Sequence, residues 1–435
     1  VENVDFKDGL LWISLPVFTC LFTILVCKLW DFLSRLEEKR RVVAEQLGTP
    51  VLPQMRSTYR NILVFCILFL CWFVVLLAVY PGFFVYDAQD EYLQVASRNF
   101  TTHHPLLHVL MLGGMICGVH KFTGSYNLGI ACYTIFQMLV IAGVFTYVIA
   151  YLRKKGVSLW IRLFALLYFA AFPVVVMFTL CSSKDAFFTA ALLLLLIALL
   201  EMGCREEEFF TSFRWQIFFV GSAVSMMLFR KNGVYAFLVL IPCLLVLQVR
   251  HRNKKYFKKL GCLLGISLAG FLVINGGLQV ALHAQAGENQ EILTVPIQQL
   301  ARTYKYTPEA FSKEDRELLL KVLPEDVLAR YNPRLSDPVK YYFNNREYEK
   351  NKMQYVKLWA KVGLRKPLSY LNAWLMTSYG FWYPDTVINV YAGNSVFTFT
   401  YKDCSYFGYE VEEPGVRASK IPWLNEAYRK LSLEI

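Results

Sequence analysis

Long apolar blocks separated by short charged connections fill the first 280 positions of the chain. Blocks near 10–30, 61–80, 127–151, 158–180, 186–202, 214–229, 234–249 and 260–282 predict about eight membrane-spanning helices, since roughly 20 apolar residues cross a ~30 Å hydrocarbon core. Leu106 to Val119 is apolar but only fourteen residues long, below the ~17 needed to cross, so a helix lying at the surface is expected there. Pro105 suits its first turn, and Gly113, Gly114 and Gly118 would let it pack closely on a neighbour. After residue 283 the texture turns polar and Pro-punctuated, with helical patterns at Pro296–Tyr304, Lys313–Val322 and Tyr341–Val362. Leu368 to Tyr383 is short and tyrosine-rich, as an interfacial helix would be, and alternation over 387–402 suggests a hairpin.

Composition supports a membrane protein: 56% of residues are hydrophobic and only 18% charged. The net charge of +12 gathers in a few connections, a distribution that suits a bilayer and excludes a nucleic-acid-binding face. Connections 31–60, 152–157, 203–213 and 250–259 hold sixteen Lys and Arg, against five (Arg98, Lys121, Lys184, Arg230, Lys231) in the alternate set. The positive-inside rule then puts the loop after residue 80 outside, in a multi-pass protein of the plasma (inner) membrane. Eleven cysteines form no Cys-x-x-Cys pair and most sit in apolar helices, so neither a disulfide framework nor a zinc site is expected. The organisation expected is a span and basic loop over 1–60, a transmembrane core over 61–282 with its first external loop at 81–126, and an external, mostly helical domain over 283–435. The chain opens on Val1 without a methionine and stops without a natural close, which reads as a fragment with further spans expected beyond Ile435.

The chemistry concentrates in that external loop. Asp87, Asp90, Glu91, His103 and His104 crowd together directly after a span, where ionisable groups are costly unless solvated or used. Two accounts of Asp87 compete. It could cap a helix over Ala88–Asn99, with Asp90 and Glu91 in the first turn. It could also be a general base whose pKa is raised by partial shielding from water. His103 and His104 could donate to a phosphate, tie down the loop, or bind a metal; a divalent cation is only a secondary expectation, with no cofactor assigned. Lys184, Arg230 and Lys231 fall at outer helix ends, at the level of lipid phosphates, and Asp185 is placed to pair with Lys184 or Arg230. Gln298 and Arg302 share a helix face, either solvated or turned toward a substrate.

The run Pro81-Gly82-x-x-x-Tyr86-Asp87-x-Gln89 followed by Thr101-x-His103-His104-Pro105-Leu106 resembles the first external loop of GT-C glycosyltransferases. Closer still is the likeness to an uncharacterised bacterial family of GT-C-like membrane proteins. It extends to Ser182-Ser183-Lys184-Asp185, Arg230-Lys231-Asn232-Gly233, Pro296–Arg302 and Ser336–Lys340, over roughly residues 60–385. The resemblance implies an all-α GT-C-like bundle with juxtamembrane helices. It implies a polyprenyl-phosphate-linked sugar as donor, an envelope glycan or lipid as acceptor, and Asp87 as base. Gln89, Asp90, Glu91, His103, His104, Lys184, Asp185, Arg230, Gln298 and Arg302 would then contact substrates. His-His-Pro-Leu stands where that superfamily has a double proline, and no Asp-Asp or Glu-Asp pair is evident. The competing expectations are a transporter or lipid flippase, marked by repeats and mid-span charges, and a non-catalytic receptor or scaffold.

Overall fold

Runs of Leu, Ile, Val, Phe and Ala must satisfy their backbone polar groups internally when no water is at hand, and the chain does so with helices. The computed structural model describes residues 4–46, 54–84, 86–250, 254–381 and 419–432, and among these it is helical throughout, with two isolated backbone bridges and no named strand. The chain divides into two units. One joins α1 (Gly9–Gln46) to the segment after residue 287; the other runs from residue 50 to 286 and takes in the C-terminal helix.

In the larger unit the helices are α2 (Gln54–Ala78), α3 (Tyr86–Ser97), α4 (Leu106–Thr123), α5 (Tyr126–Lys154), α6 (Leu159–Ala171), α7 (Pro173–Thr179), α8 (Lys184–Cys204), α9 (Glu206–Thr211), α10 (Phe213–Phe229), α11 (Lys231–Arg250) and α12 (Phe257–Ala281). Among the described residues six helices are long and apolar enough to cross a membrane: Ser57–Ala78 of α2, α4, α5, α8, Lys231–Val249 of α11, and α12. Large apolar side chains such as Leu63, Leu70, Phe164, Leu167, Val239 and Val273 are exposed on this unit, as a lipid-facing surface requires. The protein is therefore an all-helical, membrane-embedded protein.

Three details depart from the pattern read along the chain. The span expected at 158–180 is α6 and α7, bent by 54°, because Phe172, held extended before Pro173, cannot continue the helix. The apolar stretches Gly9–Leu25 and Phe213–Phe229 fall short of the length of the other six. The block expected to hold fourteen helical residues makes an 18-residue helix, α4, which carries His120 and Lys121 in its last turn. It ends at Gly124, whose φ of 72° is the left-handed cap that glycine tolerates best.

Hydrogen bonds fix which helix ends lie together. At the C-terminal end of α5, Arg153 donates to Ser57 Oγ at 2.8 Å and Asn61 Oδ1 at 2.9 Å, both near the start of α2. Nearby, Lys155 pairs with the buried Glu201 of α8. At the opposite end Thr134, in the third turn of α5, donates to Pro81 O at 3.2 Å, just past α2. Helix α4 lies beside the first turns of α5: Ile116 backbone meets Gly129, and His108 meets Tyr133. Of the three α4 glycines, Gly113 makes the close approach, since a Cβ there would come within 2.6 Å of Val95 and 3.0 Å of Glu91 O. A Cβ at Gly114 or Gly118 would meet no neighbouring element within 4 Å.

The other unit has its own core, built on Ile297, Leu300, Leu319, Val322, Leu323, Tyr355, Leu358 and Val362. Its helices after α1 are α13 (Thr294–Tyr306), α14 (Lys313–Val322), α15 (Glu325–Ala329), α16 (Asp337–Lys340), α17 (Asn345–Lys350), α18 (Lys352–Arg365) and α19 (Pro367–Thr377). Helix α14 has the bounds its sequence predicts and opens on a Ser312–Asp315 capping box. The single helix expected over Tyr341–Val362 is instead two, α17 and α18, since Asn344 caps α17 on Glu347 N and Asn351 separates it from α18. Val4, ahead of α1, exchanges two hydrogen bonds with the Asn372 side chain of α19, so the N-terminal segment groups with this unit. A last helix, α20 (Pro422–Ser432), packs its Ile421, Leu424 and Tyr428 region on the core of the larger unit, where Lys420 N donates to Leu77 O at 2.8 Å. The hairpin expected over 387–402 lies outside the described residues.

Gly113→Ala should cost about 1–3 kcal/mol by forcing α3 off α4, whereas Gly114→Ala should stay within about 0.5 kcal/mol of wild type. Thermal unfolding of the two variants in detergent checks this.

Candidate functional site

Two chain segments that are distant in sequence meet through backbone hydrogen bonds. Phe83 N donates to Leu180 O at 2.9 Å and Ser182 N to Phe83 O at 2.8 Å, tying the turn after α2 to the turn before α8. Gly82 is required there: its φ is 125°, and a Cβ would fall 2.5 Å from Thr134 Oγ1. The bridge sets the first turn of α3 opposite the first residue of α8. A second bridge, Thr102 N to Gln285 O at 2.8 Å and Gln285 N to Phe100 O at 2.9 Å, ties the loop before α4 to the end of α12.

Lys184 is the centre of what results. Its ammonium donates to Asp87 Oδ2 at 2.6 Å and to His104 Nδ1 at 3.1 Å, and lies 3.8 Å from Glu91 Oε1. Asp87 does not cap a helix over Ala88–Asn99, because α3 begins at Tyr86 and leaves Asp87 inside the first turn. Its side chain is 35% exposed, whereas Glu91 and His104 are buried. Glu91 Oε2 is hydrogen-bonded to His108 Nδ1 and His108 Nε2 to the Tyr133 hydroxyl at 2.6 Å. Tyr133 donates to Gln137 Oε1 at 3.0 Å, and Gln137 Nε2 donates to the carbonyls of Thr179 and Cys181, both at 2.8 Å. The Thr179 carbonyl closes α7 and would otherwise want a partner, while Cys181 O also accepts from Ser183 N at 2.7 Å.

Electrostatics overturn one expectation. Burial alone would raise the Asp87 pKa, but the charge and hydrogen bond of Lys184 outweigh it and hold the carboxyl below its ordinary value. Its neighbour Asp90 is raised instead, by partial shielding of its carboxyl from water and by the Asp87 charge. Burial, reinforced by Lys184, brings the His104 pKa down to about 4, so the ring is neutral at pH 7. Since Lys184 occupies Nδ1 as a donor, the proton of His104 sits on Nε2, a buried atom with no partner among the described residues.

The structure gathers Asp87, Glu91, His104 and Lys184 into one cluster. His103 is exposed and sets its ring edge-on to His104, and Gln89 is half-buried on α3. Asp185 pairs with Arg230 at 2.8 Å, one of the two pairings anticipated for it. Gln298 and Arg302 are neither solvated nor open to a ligand. They are buried in the other unit's core, where Gln298 donates to Asn332 O at 3.1 Å and Arg302 to the Tyr331 hydroxyl at 3.2 Å. Residue-by-residue reading missed His108, Tyr133 and Gln137. The available signal was polar residues inside apolar helices, His108 in α4 and Tyr133 with Gln137 at i, i+4 spacing in α5. Among the described residues no group of three or more His, Cys, Asp and Glu side chains is arranged to hold a metal ion.

Residues 94–431 match a protein family described as "Family of unknown function (DUF6020)". The chain belongs to this family. The match takes in His104, His108, Tyr133, Gln137 and Lys184 and begins just after Asp87 and Glu91. No curated protein and no solved structure matches the chain.

The His104 shift predicts a pH dependence of stability. Between pH 6.5 and about 4 the unfolded chain binds the His104 proton and the folded chain does not, so stability falls as pH drops through that window, by up to about 3 kcal/mol. The Asp87 contribution is present above the unfolded carboxylate pKa and is lost only as pH falls through its lowered folded value, at the acid end. His104→Gln should flatten the first limb of a Tm-against-pH curve and leave the second.

Proposed function

We propose that the protein is an integral-membrane glycosyltransferase of GT-C type. It moves a sugar from a polyprenyl-phosphate donor to an envelope glycan or lipid acceptor at the outer face of the plasma membrane. The observation that carries this reading is a partly open carboxylate, Asp87, held by a lysine at one end of an apolar bundle beside a buried histidine N–H that has no acceptor among the described residues. The loop resemblance and the excess of Lys and Arg in the connections of the Arg153 end support it further. With that end inside, α4, although long enough to cross, lies on the outer side, and α2, α5, α6 with α7, α8, α11 and α12 cross together with the shorter, 17-residue α10.

In the resting protein Asp87 is a weak base, because Lys184 neutralises it. A donor phosphate offers Lys184 a stronger partner and offers His104 Nε2–H an acceptor. As the ammonium turns to the phosphate, the proton affinity of Asp87 rises, so the base becomes competent when the donor is present. The acceptor oxygen then attacks the anomeric carbon in line as the bond from that carbon to the phosphate oxygen breaks. The acceptor proton goes to Asp87, and the released phosphate charge is held by Lys184 and His104. Arg230, kept in place by Asp185, adds positive charge at the same end.

Asp87→Asn should lower transfer by roughly 10²–10⁴-fold while preserving the elution profile and thermal unfolding of the wild type. The measurement is turnover of purified protein against a panel of polyprenyl-phosphate sugars, and undiminished turnover in the variant would remove Asp87 as the base.

A further inference from the structure

The buried chain behind Lys184 has only one consistent polarity. Backbone carbonyls only accept, so Gln137 must present Nε2 to Thr179 O and Cys181 O and Oε1 to Tyr133. The single hydroxyl hydrogen of Tyr133 goes to Gln137, so its oxygen accepts from His108 Nε2–H. His108 Nδ1 then faces Glu91 Oε2 at hydrogen-bond contact, and two acceptors cannot meet there. One proton lies between them. Glu91 and His108 as a unit therefore carry no net charge, on whichever atom that proton sits.

This balance bears on Lys184, which has two carboxylates within reach, Asp87 at 2.6 Å and Glu91 at 3.8 Å. Glu91 is buried, and Asp87 is a third exposed and screened by water. An undiminished Glu91 anion in the drier site would be the stronger attractor. We propose that Glu91 and His108 are positioning residues for Lys184: by sharing one proton they weaken Glu91 as a partner, so the ammonium rests on Asp87 and stays free to pass to an anionic ligand. The passage to a ligand rests on the transferase reading; the resting position does not.

The groups facing Asp87 are Lys184, His104, His103 and Asp90; those facing Glu91 are His108, His104, Lys184 and Asp90, with Tyr133 behind His108. The test titrates Asp87 without any donor. Full-chain protein in nanodiscs is treated with a carbodiimide and an amine across a pH series, and modification of Asp87 is read by peptide mass spectrometry. His108→Gln should leave Glu91 unbalanced and draw Lys184 toward it, raising the Asp87 midpoint by about one pH unit, a tenfold gain in proton affinity. Glu91→Gln should leave the midpoint near the wild-type value, since the pair it replaces carried no net charge and Lys184 keeps Asp87 as its partner. The double variant, neutral again, should return to the wild-type midpoint. An unchanged midpoint in His108→Gln, or the same rise in the double variant, overturns the proposal. If His108→Gln does not fold, Glu91→Gln alone decides, and a midpoint displaced there by a pH unit or more overturns it. Because no donor is used, absence of sugar transfer would defeat the transferase reading and leave this titration standing.

Discussion

Everything at the candidate site depends on two backbone hydrogen bonds between Phe83 and the Leu180–Ser182 turn. They join the end of one apolar helix to the start of another nearly a hundred residues later, and they do so with groups that every residue carries. Glycine at position 82 is what the close approach demands. Once the turns are joined, Lys184 has little choice but to meet Asp87, because each opens its helix at that level. The ion pair is a consequence of the backbone contact, and it gives a mostly buried ammonium a charged partner.

Around this pair the protein spends polar groups in a place where they are expensive. Glu91, His108, Tyr133 and Gln137 are all buried in the bundle, and each finds a partner in the next, ending on two backbone carbonyls. Satisfied in this way, the chain is rigid and electrically balanced. A comparable economy holds at the opposite end of the bundle, where the buried Glu201 meets Lys155 and Arg153 clamps α5 to α2. The bundle is thus pinned by ionic and polar contacts at both ends, with apolar packing between.

The location of the cluster was legible in the order of residues. Asp87, Glu91 and His104 follow directly on an apolar run, and Lys184 stands at the end of another, so hydropathy alone predicts that they share a level. The state of the cluster was not. Partial shielding from water predicts a raised Asp87 pKa, yet an ammonium at 2.6 Å reverses the sign. Gln298 and Arg302 look like a solvated face because both are polar, but their surroundings are Asn332, Tyr331 and a buried core.

By itself the sequence determined that the chain is helical, that much of it is apolar enough for a membrane, and where its charged turns fall. Those properties follow from composition and period, which act over neighbouring residues. Only the tertiary structure decided that α4 is a full 18-residue helix lying beside the first turns of α5, that a proline breaks the α6–α7 pair, and that His108 completes the pairing of Glu91. The reason is that a hydrogen bond between residues 91 and 108, or 137 and 181, leaves no periodic mark on the chain, and the charge of a buried group is set by whatever the fold brings to within a few ångströms of it.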